Sequence, residues 1–266
     1  MFDVEKVQLV PKVEGFSIPN SFGIYRTDTK DHLGTVGSDY TPVQNKEMLD
    51  IVAESATLAG LDVQSVTFRS FKGGRKVSFQ VKLPNWSVSG DEVERYMTAV
   101  NSHNGSTSVG VGLVGIRVVC TNTWLQALSQ CKKFRHTSSV MDRVKALSDE
   151  INQSIEVDKE LFEEFQTMFN NPYSDLDHSK FIKELIGYDL SDLEEKETRK
   201  RNTFEDISDA IDTELISAGR NEWGLFNGVT RYTNHVRAAG LDDPGNYIMF
   251  GSGATLVNKA LGILSN

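Results

Sequence analysis

The chain has 266 residues, of which 39% are hydrophobic and 24% charged, so it can bury a full hydrophobic core. A net charge of −9 excludes a protein that coats nucleic acid over its whole surface, and any anion must therefore be bound locally. No apolar run approaches the roughly 20 residues of a membrane span, and the N-terminus lacks the pattern of a signal peptide, so we expect a cytoplasmic protein.

The N-terminal segment shows little periodicity. Residues 1–20 have only short apolar runs, interrupted by Pro11 and Pro19, so we predict an N-terminal arm of the kind that docks on a neighbouring subunit. Two β-type runs at residues 21–26 and 33–37 flank a polar turn, which predicts a hairpin.

A helix and a second hairpin follow. Apolar residues at helical spacing predict a helix from Lys46 to Ala59, and Gly60 supplies its end. Residues 63–71 and 76–83 are typical of strands, joined by Lys72-Gly73-Gly74-Arg75, because adjacent glycines tolerate the positive φ of a hairpin tip. The cations beside the glycines indicate either a clasp for a phosphate or an ordinary basic loop.

Asn104-Gly105 predicts a third hairpin. Asn-Gly between two β-type runs, here residues 94–102 and 107–114, is a strong hairpin signal. In the second run Gly110 and Gly112 leave one face nearly bare. That face suits either the close approach of a ligand or another backbone, or packing beneath a bulky helix.

The remaining elements are mostly helical. Thr121 or Asn122 is a candidate N-cap of a short helix, and residues 132–136 form a basic strand. A long amphipathic helix is predicted from residue 140 to about 169, where Asn170-Asn171-Pro172 breaks it. Further helices are predicted at 179–186, 204–216, 221–239 and 253–264, with a charged stretch at 192–201 that is either a solvated helix or a link.

The charge is distributed unevenly along the chain. Residues 63–145 contain twelve Lys and Arg against four Asp and Glu, a net charge of +8, whereas residues 146–217 carry −13. A basic segment interleaved with aromatic residues suits a groove that holds a phosphate backbone and stacks bases. The alternative is an ordinary sheet with solvated cations on its open face.

The basic segment provides the candidate site residues. The candidates for phosphate contact are Arg69, Lys72, Arg75, Lys76, Arg117, Lys132, Lys133 and Arg135, together with Arg231 from the helical part. The candidates for base stacking are Trp86, Tyr96 and Trp124, although each is also a typical core residue.

Catalytic and metal sites are not indicated. His103, Cys120, Cys131 and His136 do not show the spacing of a zinc motif, and no nucleophile elbow accompanies any Ser or Cys. We therefore expect a protein that is not an enzyme and that uses no metal and no cofactor.

Several strings of the sequence, in order over roughly residues 20–260, are specific enough to carry a resemblance. They are Gly34-Thr35-Val36-Gly37 with Tyr40-Thr41-Pro42-Val43-Gln44-Asn45, Asn101-Ser102-His103-Asn104-Gly105-Ser106, Arg117-Val118-Val119-Cys120-Thr121-Asn122-Thr123, Arg135-His136-Thr137, and Trp223-Gly224-Leu225-Phe226-Asn227-Gly228-Val229-Thr230-Arg231-Tyr232 with His235. Together they resemble the phage/plasmid-like protein family of unknown function, the DUF932 type. The resemblance implies the DNA biology of mobile elements in a bacterial host cell and supplies no catalytic residue.

The order of β-hairpins followed by helices is also similar to the core of single-strand annealing recombinases such as RecT, Red-beta and Erf. Those proteins assemble as rings or filaments that hold one DNA strand in a basic outer groove. This second similarity is one of architecture and genetic context, and it implies single-stranded DNA and further copies of the chain as partners.

These observations lead to one expected fold and three open functions. We expect an α+β fold with an N-terminal arm (1–20), an antiparallel sheet of β-hairpins with packed helices (21–139) and a mainly helical region (140–266). The favoured function is binding and annealing of single-stranded DNA in phage or plasmid recombination, by a homo-oligomer without a membrane partner. The alternatives are an anti-defence or host-interaction protein that binds a host protein or a nucleotide through the Asn-Gly hairpin, and a nuclease.

Overall fold

Two antiparallel sheets and a helical C-terminal region form the protein, so the predicted α+β fold is confirmed. A computed structural model describes residues 1–58, 66–117, 123–126, 133–140, 142, 147–173 and 175–265. The strands are β1 (Val4–Gln8), β2 (Phe22–Arg26), β3 (His32–Val36), β4 (Thr67–Phe71), β5 (Lys76–Val88), β6 (Asp91–Ser102), β7 (Val109–Arg117), β8 (Thr123–Gln126) and β9 (Lys133–Phe134). The helices are α1 (Asn45–Leu58), α2 (Leu147–Asn170), α3 (Asp175–Ile186), α4 (Thr198–Ala218), α5 (Glu222–Arg231), α6 (Pro244–Phe250) and α7 (Ser252–Leu264).

The first sheet has the order β1-β2-β3 and includes part of the segment expected to be an arm. β1 pairs with β2 from Val4 opposite Arg26 to Gln8 opposite Phe22. Burial explains why this short segment is ordered as a strand, since Phe2 and Val4 are only 7% and 5% exposed. The side-chain amide of Gln44 also bonds both the N–H and the carbonyl of Val4.

The second sheet has the order β4-β5-β6-β7-β8, and β9 pairs with the start of β7. Its hairpins confirm the two turns predicted at residues 72–75 and 103–106. Gly73 and Gly74 have φ of 67° and 102°, values that a residue without a side chain adopts at little cost. The predicted start of the first strand, residues 63–65, lies outside the described residues.

One predicted helix is wrong where it can be compared. Residues 123–126, expected in a short helix, form strand β8 instead. Partners on the sheet override a weak local preference in so short a segment, because β propensity depends mainly on context. The candidate N-caps Thr121 and Asn122 lie outside the described residues.

The predicted long helices are present. α2 ends at Asn170, directly before the predicted break, and α4 ends at Gly219, whose φ is 95°. The helix expected over residues 221–239 is interrupted: α5 ends at Arg231 and continues as a π-helix from Tyr232 to Arg237. No helix in the described part of the chain is both long enough and apolar enough to cross a membrane.

The chain divides into two compact units. The first unit comprises Met1–Leu83, Tyr96–Leu113 and Ala127–Glu156, and the second comprises Pro84–Arg95, Val114–Gln126 and Val157–Asn266. The core of the second unit contains an aromatic cluster in which the ring of Phe165 lies 4.8 Å from that of Trp223 and 5.4 Å from that of Phe226. The boundary expected between residues 139 and 140 stays a prediction.

Candidate functional site

Three of the strings singled out in the sequence meet in the first unit. The hydroxyl of Tyr40 donates to the carbonyl oxygen of Ser102 at 2.6 Å, and the amide of Asn101 donates to that of Val43 at 3.1 Å. These bonds join the string at residues 40–45 to the string at residues 101–106. Because the bonds use main-chain acceptors, they fix the positions of both loops as well as the orientations of the side chains.

His136 brings the third string to the same place. Its ring stacks on that of Tyr40 with the centroids 4.6 Å apart and the planes 21° from parallel. Its carbonyl accepts the N–H of Thr41 at 2.9 Å, and its Nδ1 lies 3.2 Å from the Thr41 carbonyl oxygen. Burial lowers the pKa of His136, while the carbonyls of Thr41 and Thr107 partly oppose this shift. The ring is therefore neutral at pH 7.

His103 is the second buried imidazole of this cluster. The amide nitrogen of Asn45 donates to the carbonyl oxygen of Phe2 at 2.7 Å, which turns Asn45 Oδ1 toward His103 Nε2 at 3.0 Å. Nε2 must then carry the proton, since an amide oxygen only accepts. Burial lowers the pKa of His103 to about 4, with a smaller contribution from His136. His103 is thus a neutral donor with a structural role.

The Asn-Gly tip packs tightly against strand β3. A Cβ on Gly34 would lie 2.5 Å from Cβ and 2.7 Å from Cα of Asn104, so only glycine fits there. Asn104 itself accepts the N–H of Ser106 on Oδ1 at 3.1 Å, a side-chain turn that shapes the tip. The tip is thus braced by backbone contact on one side and by its own asparagine on the other.

A cavity of about 490 Å³ opens beside these residues. Its wall is mainly polar and includes Asp39, Tyr40, Thr107, Ser108, Arg135 and His136. This volume lies within the roughly 300–1,000 Å³ typical of small-molecule sites. In the described ranges no group of three or more His, Cys, Asp or Glu could hold a metal ion.

The two hairpin tips and the end of β9 lie at the same end of the second sheet. The N–H of His103 donates to the carbonyl oxygen of Arg75 at 2.8 Å, which joins the tip at residues 72–75 to the tip at 103–106. Val109 pairs with Phe134, so Arg135 follows β9 beside the start of β7. The side chains of Arg75 and Arg135 are both exposed there.

The other candidates for phosphate contact in the first unit fall into three groups. Arg69 and Lys72 are exposed on the β4–β5 hairpin, and Lys76 is half-buried beside them. Lys132 and the side chain of Lys133 lie outside the described residues.

Arg117 is placed differently from the surface position that phosphate contact requires. Its side chain is 1% exposed, and its guanidinium pairs with Asp91 through Nε and with Glu214 through NH1 at 2.6 Å. Arg231 pairs with the same Glu214 at 3.3 Å and is half-buried. The physical reason is charge compensation, because two buried carboxylates require cations nearby. These arginines therefore stabilise the second unit.

The candidates for base stacking are also differently placed. The guanidinium of Arg95 lies 4.3 Å from the Trp86 ring, and Phe162 packs 5.3 Å from the same ring. Trp86 therefore belongs to the packing of the second unit. Tyr96 is half-buried in the first unit, and the side chain of Trp124 lies outside those described.

Sequence reasoning missed Asp39, Tyr40 and His136 as parts of one cavity. The available signal was the set of strings itself, since their residues are polar and uncharged more often than basic. Charge counting directed attention to the basic hairpin and away from them.

Comparison with family models finds one match. The model described as Domain of unknown function (DUF932) matches residues 32–249. A comparison with curated proteins finds no match, and a comparison with solved structures finds none. The matched span includes every string that forms the cluster around Tyr40.

Proposed function

The chain belongs to this family, whose description names no activity, and we propose that the protein binds single-stranded DNA and anneals complementary strands. The observation that carries the proposal is the position of Arg75 and Arg135 at one end of the second sheet. Exposed guanidinium groups bind phosphate oxygens in a bidentate way, which a single lysine cannot do. This end of the sheet is therefore suited to a phosphate backbone.

The spacing of the strands supports contact with several phosphates at once. From β5 through β6 and β7 to β9 there are three strand spacings, or about 14 Å. A strand with the roughly 3.4 Å rise per nucleotide of B-form DNA would cover this width with about four nucleotides. Arg69 lies three residues before the tip and extends the basic surface along β4.

Annealing follows from contacts that leave the bases free. Trp86, the stacking candidate with a described ring environment, already packs against Arg95 and Phe162. Contacts through phosphates alone leave the Watson–Crick edges exposed, and a complementary strand can then pair with them. This property suits recombination or replication of a phage or plasmid.

A homo-oligomer is part of the proposal. A single copy covers only a few nucleotides, so a longer strand requires several copies side by side. The basic residues 63–145 of one copy and the acidic residues 146–217 of the next carry opposite charges, which favours head-to-tail pairing into a ring or filament. Light scattering should report a large species, and a monomer at micromolar concentration would contradict this part.

The binding experiment compares single-stranded and double-stranded DNA. Fluorescence anisotropy of a labelled oligonucleotide, at about 50 and 200 mM salt, should show binding to the single strand that weakens with salt. Energy transfer between labelled complementary strands should show faster annealing with the protein than without it. Exchange of Arg75 and Arg135 to Gln should weaken both activities.

A matched control removes the same charge from the second unit. Lys180 and Lys196 are exposed, and their joint substitution by Gln should leave DNA binding unchanged. If the parent protein binds neither form of DNA at low salt, the proposal is wrong. Equal weakening by the control pair would show that net charge acts and that the hairpin end does not.

A further inference from the structure

His136 has a buried ring nitrogen without a partner. The residue is 7% exposed and lines the cavity beside Tyr40. The carbonyl oxygen of Thr41 can only accept, so Nδ1 carries the proton of the neutral ring and Nε2 is an acceptor. Nothing in the described part of the chain donates to Nε2. A buried acceptor without a donor is costly, and in native proteins such a group calls for a bound water or ligand.

The rest of the wall supplies complementary groups. Arg135 is exposed at the cavity and offers a planar guanidinium to an anion. Asp39 accepts a hydrogen bond from Ser38 on Oδ1 and can accept others from hydroxyl groups. The hydroxyls of Thr107 and Ser108 can donate or accept. The cavity therefore combines one site for a negative charge with several sites for hydroxyl groups.

We infer that this cavity binds a nucleoside monophosphate, with the phosphate on Arg135 and the sugar hydroxyls on Asp39 and Nε2 of His136. A simple anion would leave both acceptors without donors, and an uncharged sugar would leave the guanidinium without an anion. The ligand is either a free nucleotide or the phosphorylated end of a strand. The inference goes beyond strand binding, because Arg69 and Arg75 take no part in it.

Isothermal titration calorimetry of the full chain tests the inference. Adenosine monophosphate and its deoxy form should bind, and adenosine or inorganic phosphate should each bind at least about tenfold more weakly, because each lacks one set of contacts. Exchange of Arg135 to Gln should weaken nucleotide binding by about tenfold or more. Exchange of Gly37 to Val should also weaken it, since a Cβ there meets nothing within 4 Å and the fold can accept it at the cavity wall.

A control and a competition complete the design. Arg75→Gln removes a cation from the neighbouring hairpin tip and should leave nucleotide binding unchanged. If the strand end is the ligand, a 5′-phosphorylated oligonucleotide competes with the nucleotide and its unphosphorylated form does not. If only the free nucleotide is the ligand, neither oligonucleotide competes.

The inference and the proposed function can fail separately. Absence of heat with both nucleotides at millimolar concentration, or binding that is the same in both cavity variants and the parent, would overturn the inference. In either case the partner of Nε2 is a water. Loss of nucleotide binding with intact strand binding refutes the cavity alone, and the reverse result refutes strand binding alone.

Discussion

Trp223 donates a hydrogen bond of 2.9 Å from Nε1 to Oδ2 of Asp91, the same oxygen that pairs with Nε of Arg117. Arg117 also pairs with Glu214, which is 1% exposed. One buried guanidinium therefore compensates two carboxylates within the second unit. Loss of this cation would leave both without their main partner, which costs more than an intact buried pair contributes.

The first prediction follows from this arrangement. Arg117→Met should lower the free energy of unfolding by about 3–5 kcal/mol, because Glu214 and Asp91 remain buried and charged. Urea denaturation followed by tryptophan fluorescence measures the change. Lys196→Met is the control, since its ion pair with Glu194 is exposed on both sides and should contribute less than about 1 kcal/mol. Similar losses in the two variants would mean that the buried network carries no special weight.

The second prediction concerns pH. Burial holds the pKa of His103 at about 4, below its ordinary value, and lowers that of His136. Between pH 6.5 and about 4 the unfolded chain takes up a proton that the folded chain excludes, so stability is complete above pH 6.5 and is lost as the pH falls. For His103 the loss across this window is roughly 3 kcal/mol. Urea midpoints at pH 7 and pH 5 test it, and His103→Gln should show a smaller difference than the parent.

The third prediction compares two glycines. Gly34→Ala should destabilise the protein by roughly 1–3 kcal/mol or more, because the new Cβ would overlap the backbone of Asn104. Gly37→Ala should change stability little, since its Cβ would meet no atom within 4 Å. Thermal unfolding of both variants measures the difference. Equal melting temperatures would show that the Asn-Gly tip can move away from β3.

The fourth prediction concerns Asn104. Its side chain accepts the Ser106 N–H, so Asn104→Ala should lower the free energy of unfolding by about 1 kcal/mol through loss of that bond. DNA binding should be unchanged, because the side chain serves the turn. Unchanged stability together with lost binding would make the tip a functional site and this interpretation wrong.

The fifth prediction uses the salt dependence of DNA binding. Each lost phosphate contact should reduce the slope of log affinity against log salt by about 0.7, so joint exchange of Lys72 and Arg75 to Ala should flatten it by more than about one unit. The melting temperature should barely change, because both side chains are exposed at a hairpin tip. Parallel slopes for variant and parent would exclude this hairpin from the phosphate contacts.

The hairpins and long helices could be predicted because their signals are local. Asn104-Gly105, Gly73-Gly74 and the break at Pro172 each depend on backbone preferences of a few neighbouring residues. Strand β1 could not be predicted in this way, since its order depends on Gln44, forty positions away in the chain. The residues that close a turn carry its signal, but the residues that hold an edge strand do not.

The site was harder to predict because its contacts span the chain. Arg117 has the composition of a phosphate contact, and only Glu214, ninety-seven positions later, reveals its buried role. Likewise Tyr40 and His136 show no relation in the sequence, although their rings stack. Charge counting detects cations but does not detect which of them already have partners.

The pairing of Thr41 with His136 has a consequence for synthesis. These residues are 95 positions apart, so the loop between Tyr40 and the Asn-Gly tip lacks one of its walls until about half of the chain has been made. Contacts of such high sequence separation are slow to form, since the loop-closure entropy is lost before they contribute. Ribosome-bound chains that stop before residue 136 should therefore be open to proteases at Tyr40, and longer ones should be protected.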